Sequence, residues 1–414
     1  MNVAKSDRKL RLISGIGAAA LLAVGVGGWS YSPAGSSAAK GPITIGVSVS
    51  LTGDFSSNGK ALENGYNLWA SYVNSHGGIL GRKVKFTYLN DNSSTSQVAT
   101  NYQILITRDK VPVVFGPYSS LLTIPALAVT DRYGYAMEAP AGGGPAVFQV
   151  KSPDFAFVQP TPVADTMVST AEWLASLPKS ERPKTAAYAA DQGPFNEPEI
   201  QTAERILSRA GIKTVYSRFY PSETTDYTPI ALGIIQSKAQ VVLLGTHVPS
   251  ATAFVQAFRQ QHYNPKALVF TSGPQAGSQF LQGIGGVSYA NGLLVPAGWW
   301  YGSSTYQNKQ FVSAYLKKYG GTASSIPTTA AEAYSVGQVF EEAANHVHSI
   351  SNAKIIKALH TYQFRTVQGP LKFNRAGAPN GKSFVLQWIG TKLEPVYPAF
   401  FAKAKAVYPK PEWR

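Results

Sequence analysis

The chain has 414 residues, 44% of them apolar, with 22 Tyr and 19 Phe; this excludes a disordered or fibrous protein and allows two domains with full cores. No cysteine is present, so a disulfide framework, a Cys-ligated zinc, a Cys nucleophile and a lipid anchor on an N-terminal cysteine are excluded. The formal net charge is +15, but the Lys and Arg are scattered without long runs or an aromatic-basic ladder, so a basic solvated surface is expected and nucleic acid is not an expected partner.

Residues 1–39 read as an export leader. Lys5, Arg8, Lys9 and Arg11 form a basic start, Leu12 to Val26 an apolar run, and Ala34 to Ala39 a small-residue cleavage zone. The apolar run is shorter than the about 20 residues a membrane span needs. A secreted, periplasmic or otherwise extracytoplasmic protein is expected, membrane-anchored if the leader is retained and not a Cys-anchored lipoprotein.

After a small-residue linker, strand and helix alternate. The stretch Ile43 to Val49 predicts a strand, and Leu62, Tyr66, Trp69 and Val73 mark one face of a helix. Asn74 to Gly78 stops that helix. Strands are expected near Val84–Tyr88, Val111–Phe115 and Tyr135–Met137, with a helix from Ser96 to Arg108 between the first two. A second block follows: helix 163–177, strand Thr185–Ala189, helix Glu197–Ala210 and strand Lys213–Phe219. Then come helix Thr228–Ser237, strand Gln240–Gly245, helix Pro249–His262 and strand Ala267–Thr271. Helices near Gln307–Tyr319, Thr329–His348 and Asn352–Tyr362 and strands near Leu371–Phe373 and Ser383–Trp388 complete the chain. Such alternation implies parallel sheets with right-handed crossovers; two blocks of it imply two doubly wound α/β lobes. Strand ends opening into Gly/Ser/Thr loops, such as Ser50-Leu51-Thr52-Gly53 and Gly116-Pro117-Tyr118-Ser119-Ser120, are where such sheets bind small ligands.

Catalytic signatures are missing. His346 and His348 are two apart on a predicted helix, so they diverge. No H-E-x-x-H, Walker A or G-x-S-x-G motif occurs, and Gly283-Ile284-Gly285-Gly286 lacks dinucleotide-binding spacing. The expectation is a binding protein rather than an enzyme, with no cofactor and no metal site.

Taken together, these segments resemble the branched-chain amino-acid-binding family of ABC-transporter solute-binding proteins, the type I periplasmic-binding fold. The resemblance covers residues 42 to 400. It rests on Ser50 to Gly53, Gly59, Gly65, Asn74 to Gly81, Tyr88 to Asn92, Asp109 to Val111, Gly116 to Ser120, Thr225 to Pro229 and Val367 to Asn374. It implies two lobes joined by three crossings that close like a hinge on a ligand between them, with lobe 1 at 42–160 plus about 294–365 and lobe 2 at 161–293 plus about 366–402. It also implies a monomer that delivers an amino acid, carboxylate or amide to membrane permease subunits of an ABC importer.

The same resemblance assigns site residues. Ser120 matches the serine that holds a ligand carboxylate, with Ser119 contributing backbone and Tyr118 beside it; Ser120 also reads as an ordinary helix cap. Ala141 and Gly143 match loop positions that contact carboxylate and ammonium. His247 stands where the family often has a phenol, and Gln275 where amino-acid binders carry a carboxylate. Phe55 and Asn58 lie on the first cleft loop, and Asp191 completes the second lobe's side. A hydroxyl is lost at Gly143 and an acid at Gln275, so a buried α-ammonium is expected to lack its partner. Two other readings stay open: a sensory module of the same fold that signals to a separate membrane partner, and an exported hydrolase with a spatially assembled triad.

Overall fold

The computed structural model describes residues 41–150 and 154–413; the expected leader lies outside them. In the first sheet, β1 (Ile43–Val49), β2 (Val84–Asn90), β3 (Val113–Phe115), β4 (Met137–Ala139) and β5 (Phe155–Phe157) run in the order β2-β1-β3-β4-β5, all parallel. The second contains β6 (Thr185–Asp191), β7 (Lys213–Tyr220), β8 (Val241–Gly245), β9 (Ala267–Phe270) and β10 (Leu294–Ala297) in the matching order β7-β6-β8-β9-β10. Beyond β10, β13 (Phe384–Ile389) and β14 (Lys392–Tyr397) add antiparallel strands. A separate hairpin joins β11 (Phe364–Thr366) to β12 (Gly369–Leu371).

Helices cover both faces of the second sheet, as the alternation along β6 shows. Ala187 and Ala189 belong to one core cluster, while Ala186, Tyr188 and Ala190 belong to the other. The first lobe's core also takes in Phe311, Ala330 and Ile355 from the three late helices Asn308–Tyr319, Thr328–His346 and Asn352–Thr361. Two of these helical layers touch closely: a Cβ on Gly65, in helix Ser56–Ser75, would stand 2.1 Å from Ala330 O. Only glycine permits that approach.

The chain passes between the sheets three times, after β5, after β10 and between β12 and β13. The second and third crossings lie beyond the approximate positions 294 and 366 expected for the lobe boundaries. Residue 294 opens β10, which pairs with β9 in the second sheet, whereas Val367, Leu371 and Phe373 pack into the first core. Trp299 sits in the first core and Trp300 in the second, so the Trp pair packs across a crossing. The strand expected at Val111 starts only at Val113, since Pro112 has no N–H for the ladder. The one expected at Tyr135–Met137 lies at Met137–Ala139. The helix expected to Arg108 ends at Gln103 and continues as a π-turn, Ile104–Arg108.

Candidate functional site

The two sheets present the carboxyl ends of their parallel strands to one cleft, the position where doubly wound sheets bind ligands. An inner chamber with about 70 Å³ of accessible volume is lined from the ends of β3, β4 and β5 on one side and β9 and β10 on the other. An outer vestibule with about 520 Å³ of accessible volume leads from it toward Asp54, Asp191 and Tyr227. Ser119, Phe195 and His247 line both spaces.

In the first lobe the loop after β1 is held by the buried Asp91 carboxylate. It accepts hydrogen bonds from Ser48 Oγ (3.0 Å), Ser50 Oγ (2.6 Å) and Ser93 N (2.9 Å). Ser93 Oγ in turn accepts from Phe55 N at 3.1 Å, which fixes Phe55 at the cleft mouth. After β3, Ser119 has φ 72° and ψ 152°, a region that costs non-glycine residues about 1–3 kcal/mol. That turn starts helix Ser120–Arg132, where Ser119 Oγ caps Leu122 N, and it brings Ser119 to the chamber wall. The next residue behaves differently: Ser120 Oγ accepts from Gly144 N at 3.1 Å and lines neither space.

In the second lobe a polar chain joins the ends of β6, β8 and β9. Asp191 accepts from Gly193 N and Asn196 Nδ2. Asn196 Oδ1 accepts from Thr271 Oγ1 at 2.6 Å, and Thr271 Oγ1 accepts from Thr246 N at 2.9 Å. This chain sets the start of helix Asn196–Arg209, with Phe195 just before it and Glu199 in its first turn. His247, at the head of helix Val248–Gln260, stacks on Phe195 with ring centroids 5.6 Å apart. Across the cleft it meets Phe55 edge-on at 5.0 Å, and Phe55 packs on Tyr118 at 5.6 Å. The lobes also meet where Thr328 N donates to Gln275 O (3.2 Å) and where a Cβ on Gly144 would lie 2.1 Å from Pro194 O. The cleft is therefore closed in this conformation.

Two carboxyl groups dominate the chamber's electrostatics, one from each lobe: Glu199 and, from helix Thr328–His346, Glu332. Glu199 is fully buried, and burial pushes its pKa well above the ordinary carboxylate range. The nearby Thr166 hydroxyl opposes that shift, but Thr166 Oγ1 donates to Pro162 O at 3.3 Å, and neither Glu199 oxygen has a well-formed partner among the described residues. Burial alone raises Glu332 to about 8. Tyr118 feels both carboxyls, and burial pushes its phenol up. No Lys or Arg lines the chamber among the described residues. Helices Ser120–Arg132 and Thr328–His346 add their N-terminal ends, through Ser119 and through Thr328 and Thr329.

Of the residues expected from sequence, Tyr118, Ser119, Ala141, His247 and Gln275 line the inner chamber, and Phe55 and Asp191 the vestibule. Ser120, Gly143 and Asn58 line neither. A Cβ on Gly143 would stand 2.2 Å from the Phe157 ring, so no side chain fits there, and the loop offers Gly142 instead. Asn58 Nδ2 donates to Thr329 Oγ1 at 3.3 Å, one step behind the wall. Gln275 Oε1 is spent on Gly273 N at 3.0 Å. Glu199 and Glu332 were missed. The signal was local: Asn196, Ala203 and Leu207 share the buried face of the first acid's helix, and Glu332 sits inside Thr-Thr-Ala-Ala-Glu-Ala-Tyr-Ser-Val-Gly.

Residues 42–392 match the family model described as Periplasmic binding protein. Leu/Ile/Val-binding protein homolog 7 of Brucella suis is 24% identical over 388 residues, covering 88% of this chain and 94% of that protein. Among solved structures, the branched-chain amino acid transporter substrate binding protein LivJ from Streptococcus pneumoniae in complex with isoleucine superposes with a TM-score of 0.74 at 18% identity, covering 86% of this chain and all of that one. A solute binding protein of an ABC transporter from R. palustris in complex with benzoate gives a TM-score of 0.74 at 15% identity, covering 89% and 98%. The match across nearly the whole described chain, on a two-lobed fold with the cleft at its strand ends, makes this chain a member of the periplasmic binding protein family.

Proposed function

We propose that this protein is the extracytoplasmic solute-binding component of an ABC importer, and that it clamps a small molecule bearing an amino group. The observation that carries the reading is the inner chamber's charge: two carboxyls, the fully buried Glu199 and the half-buried Glu332, and no basic side chain. A buried carboxylate without a partner is costly, and an ammonium group relieves that cost. The helix ends at Ser119 and at Thr328–Thr329 suit the ligand's carboxylate or other polar oxygen. The ammonium partner that Gln275 fails to supply thus comes from other elements. An aromatic acid such as benzoate, held by one similar protein, brings a further anion to two acids and is disfavoured here.

Binding by closure needs no bond chemistry, and ligand passes to membrane permease subunits when the lobes reopen. A thermal-shift screen of the protein, stripped of carried ligand by partial unfolding and dialysis, tests the reading. Amino acids and amines should raise the melting temperature, and simple carboxylates should not. Stabilisation by carboxylates alone would overturn it.

A further inference from the structure

We infer that the chamber selects a ligand with two cationic nitrogen groups, a diamino acid or diamine, through Glu199 on one lobe and Glu332 on the other. The inference rests on the amino-ligand reading above and sharpens it. A ligand with a single ammonium satisfies one carboxyl and leaves the other on the chamber wall without a counter-charge, to be kept neutral by a proton instead.

The two acids enter from opposite lobes, so they line one chamber only in the closed cleft. Both oxygens of Glu199 lack a partner among the described residues, and burial is the sole cause acting on Glu332. The Glu199 carboxyl is thus not explained by the fold's own hydrogen bonding. The other titratable groups on the wall are Tyr118 and His247. Burial favours the neutral form of each, so neither supplies a counter-charge. Phe157, Phe195 and the Tyr118 ring complete an apolar wall suited to the methylenes between two nitrogens.

Calorimetric titration of the stripped protein with L-lysine, L-ornithine and L-norleucine separates the possibilities, because norleucine is lysine without its terminal ammonium. Lysine or ornithine should bind at least about tenfold tighter than norleucine, the scale of one buried charged hydrogen bond. Titrations in two buffers of different ionisation enthalpy should show proton release with the diamino ligands, and affinity should rise with pH toward about 8. In Glu332→Gln and Glu199→Gln, shown to be folded by their melting curves, at least one should bring the lysine-to-norleucine ratio to near one. Norleucine binding as tightly as both diamino ligands, or a ratio unchanged in both variants, sinks the inference and leaves the amino-ligand reading standing. Binding of none of the three sinks both.

Discussion

Phe55 and His247 meet edge-on across the cleft, their ring centroids 5.0 Å apart and their planes at 69°. One ring belongs to the first lobe and the other to the second, so the contact exists only when the lobes close. With Phe195 stacked behind the imidazole, it separates the inner chamber from the vestibule. Phe55→Ala should weaken ligand binding by about five- to thirtyfold, the loss of one aromatic contact and its burial, mainly through a faster dissociation rate. Stopped-flow Trp fluorescence checks this; an unchanged dissociation rate would show that the ring pair is not a gate.

The same contact makes closure sensitive to acid. Burial lowers the pKa of His247, while Asp191 and Asp54 pull it upward. The sign follows directly: the buried, closed-state imidazole holds its proton less well than an open-state one near the ordinary value, so protonation favours opening. Folded stability from this group is likewise present above that ordinary value and lost as pH falls through the lowered one. Affinity should fall as pH drops below about 6.5, by at most about tenfold per pH unit. His247→Phe keeps a ring in place and should flatten this acid limb, leaving the rise toward about 8 that comes from Glu332. An acid limb that survives the substitution would assign it elsewhere.

Ser119 and Ser120 separate ligand contact from structure. Ser119 faces the chamber, so Ser119→Ala should weaken binding by about three- to thirtyfold as well as removing a helix cap. Ser120 holds Gly144 N in a buried loop, so Ser120→Ala should cost about 1–3 kcal/mol of stability. The measurement is a urea titration beside a binding isotherm for each variant. A larger affinity loss in Ser120→Ala than in Ser119→Ala would restore Ser120 as the contact residue.

Gly65 fixes the distance between helices Ser56–Ser75 and Thr328–His346, and the second of these carries Thr328, Thr329 and Glu332 to the chamber. Gly65→Ala should therefore cost about 1–3 kcal/mol through overpacking and also lower ligand affinity, although residue 65 lies outside the cleft. Full affinity in a destabilised variant would show that the helix shift does not reach the site.

Glu138 is buried in β4 with neither oxygen hydrogen-bonded among the described residues, and burial raises it to about 8. The folded state then keeps a proton that the unfolded chain releases above about 4.3. Its contribution is fully present below that value and is lost as pH rises through about 8, at up to about 1.4 kcal/mol per pH unit. Glu138→Gln should reduce the fall in stability between pH 5 and pH 8, read from urea midpoints. An identical slope would mean that the carboxyl is not titrating in the folded state.

The fold was legible because long elements carry strong periodicity. Leu62, Tyr66, Trp69 and Val73 all lie buried in helix Ser56–Ser75, and the two runs of βα alternation became two sheets of equal winding. Three- and four-residue strands such as β5 and β10 carry too little pattern, and missing β10 shifted the lobe boundary. At the site, the family resemblance rather than any periodicity singled out Tyr118, Ala141, His247 and Gln275, which line the chamber. Of the two expected serines, Ser119 lines the chamber and Ser120 does not, because the positive-φ turn at Ser119 leaves Ser120 Oγ on Gly144 N. Glu199 and Glu332 escaped because an acid in a helix ordinarily faces solvent. Each instead occupies a turn that the packing of the lobes brings to the chamber.

The most direct test is a pair of melting curves of the stripped protein, one with L-norleucine and one with hexanoate, each at the same high concentration. The two ligands differ only by the amino group. At 100 times its dissociation constant a ligand adds about 2.7 kcal/mol of stability, enough to move the transition visibly. Stabilisation by norleucine and none by hexanoate is the predicted result; hexanoate stabilising as strongly as norleucine would contradict a chamber built around an ammonium group.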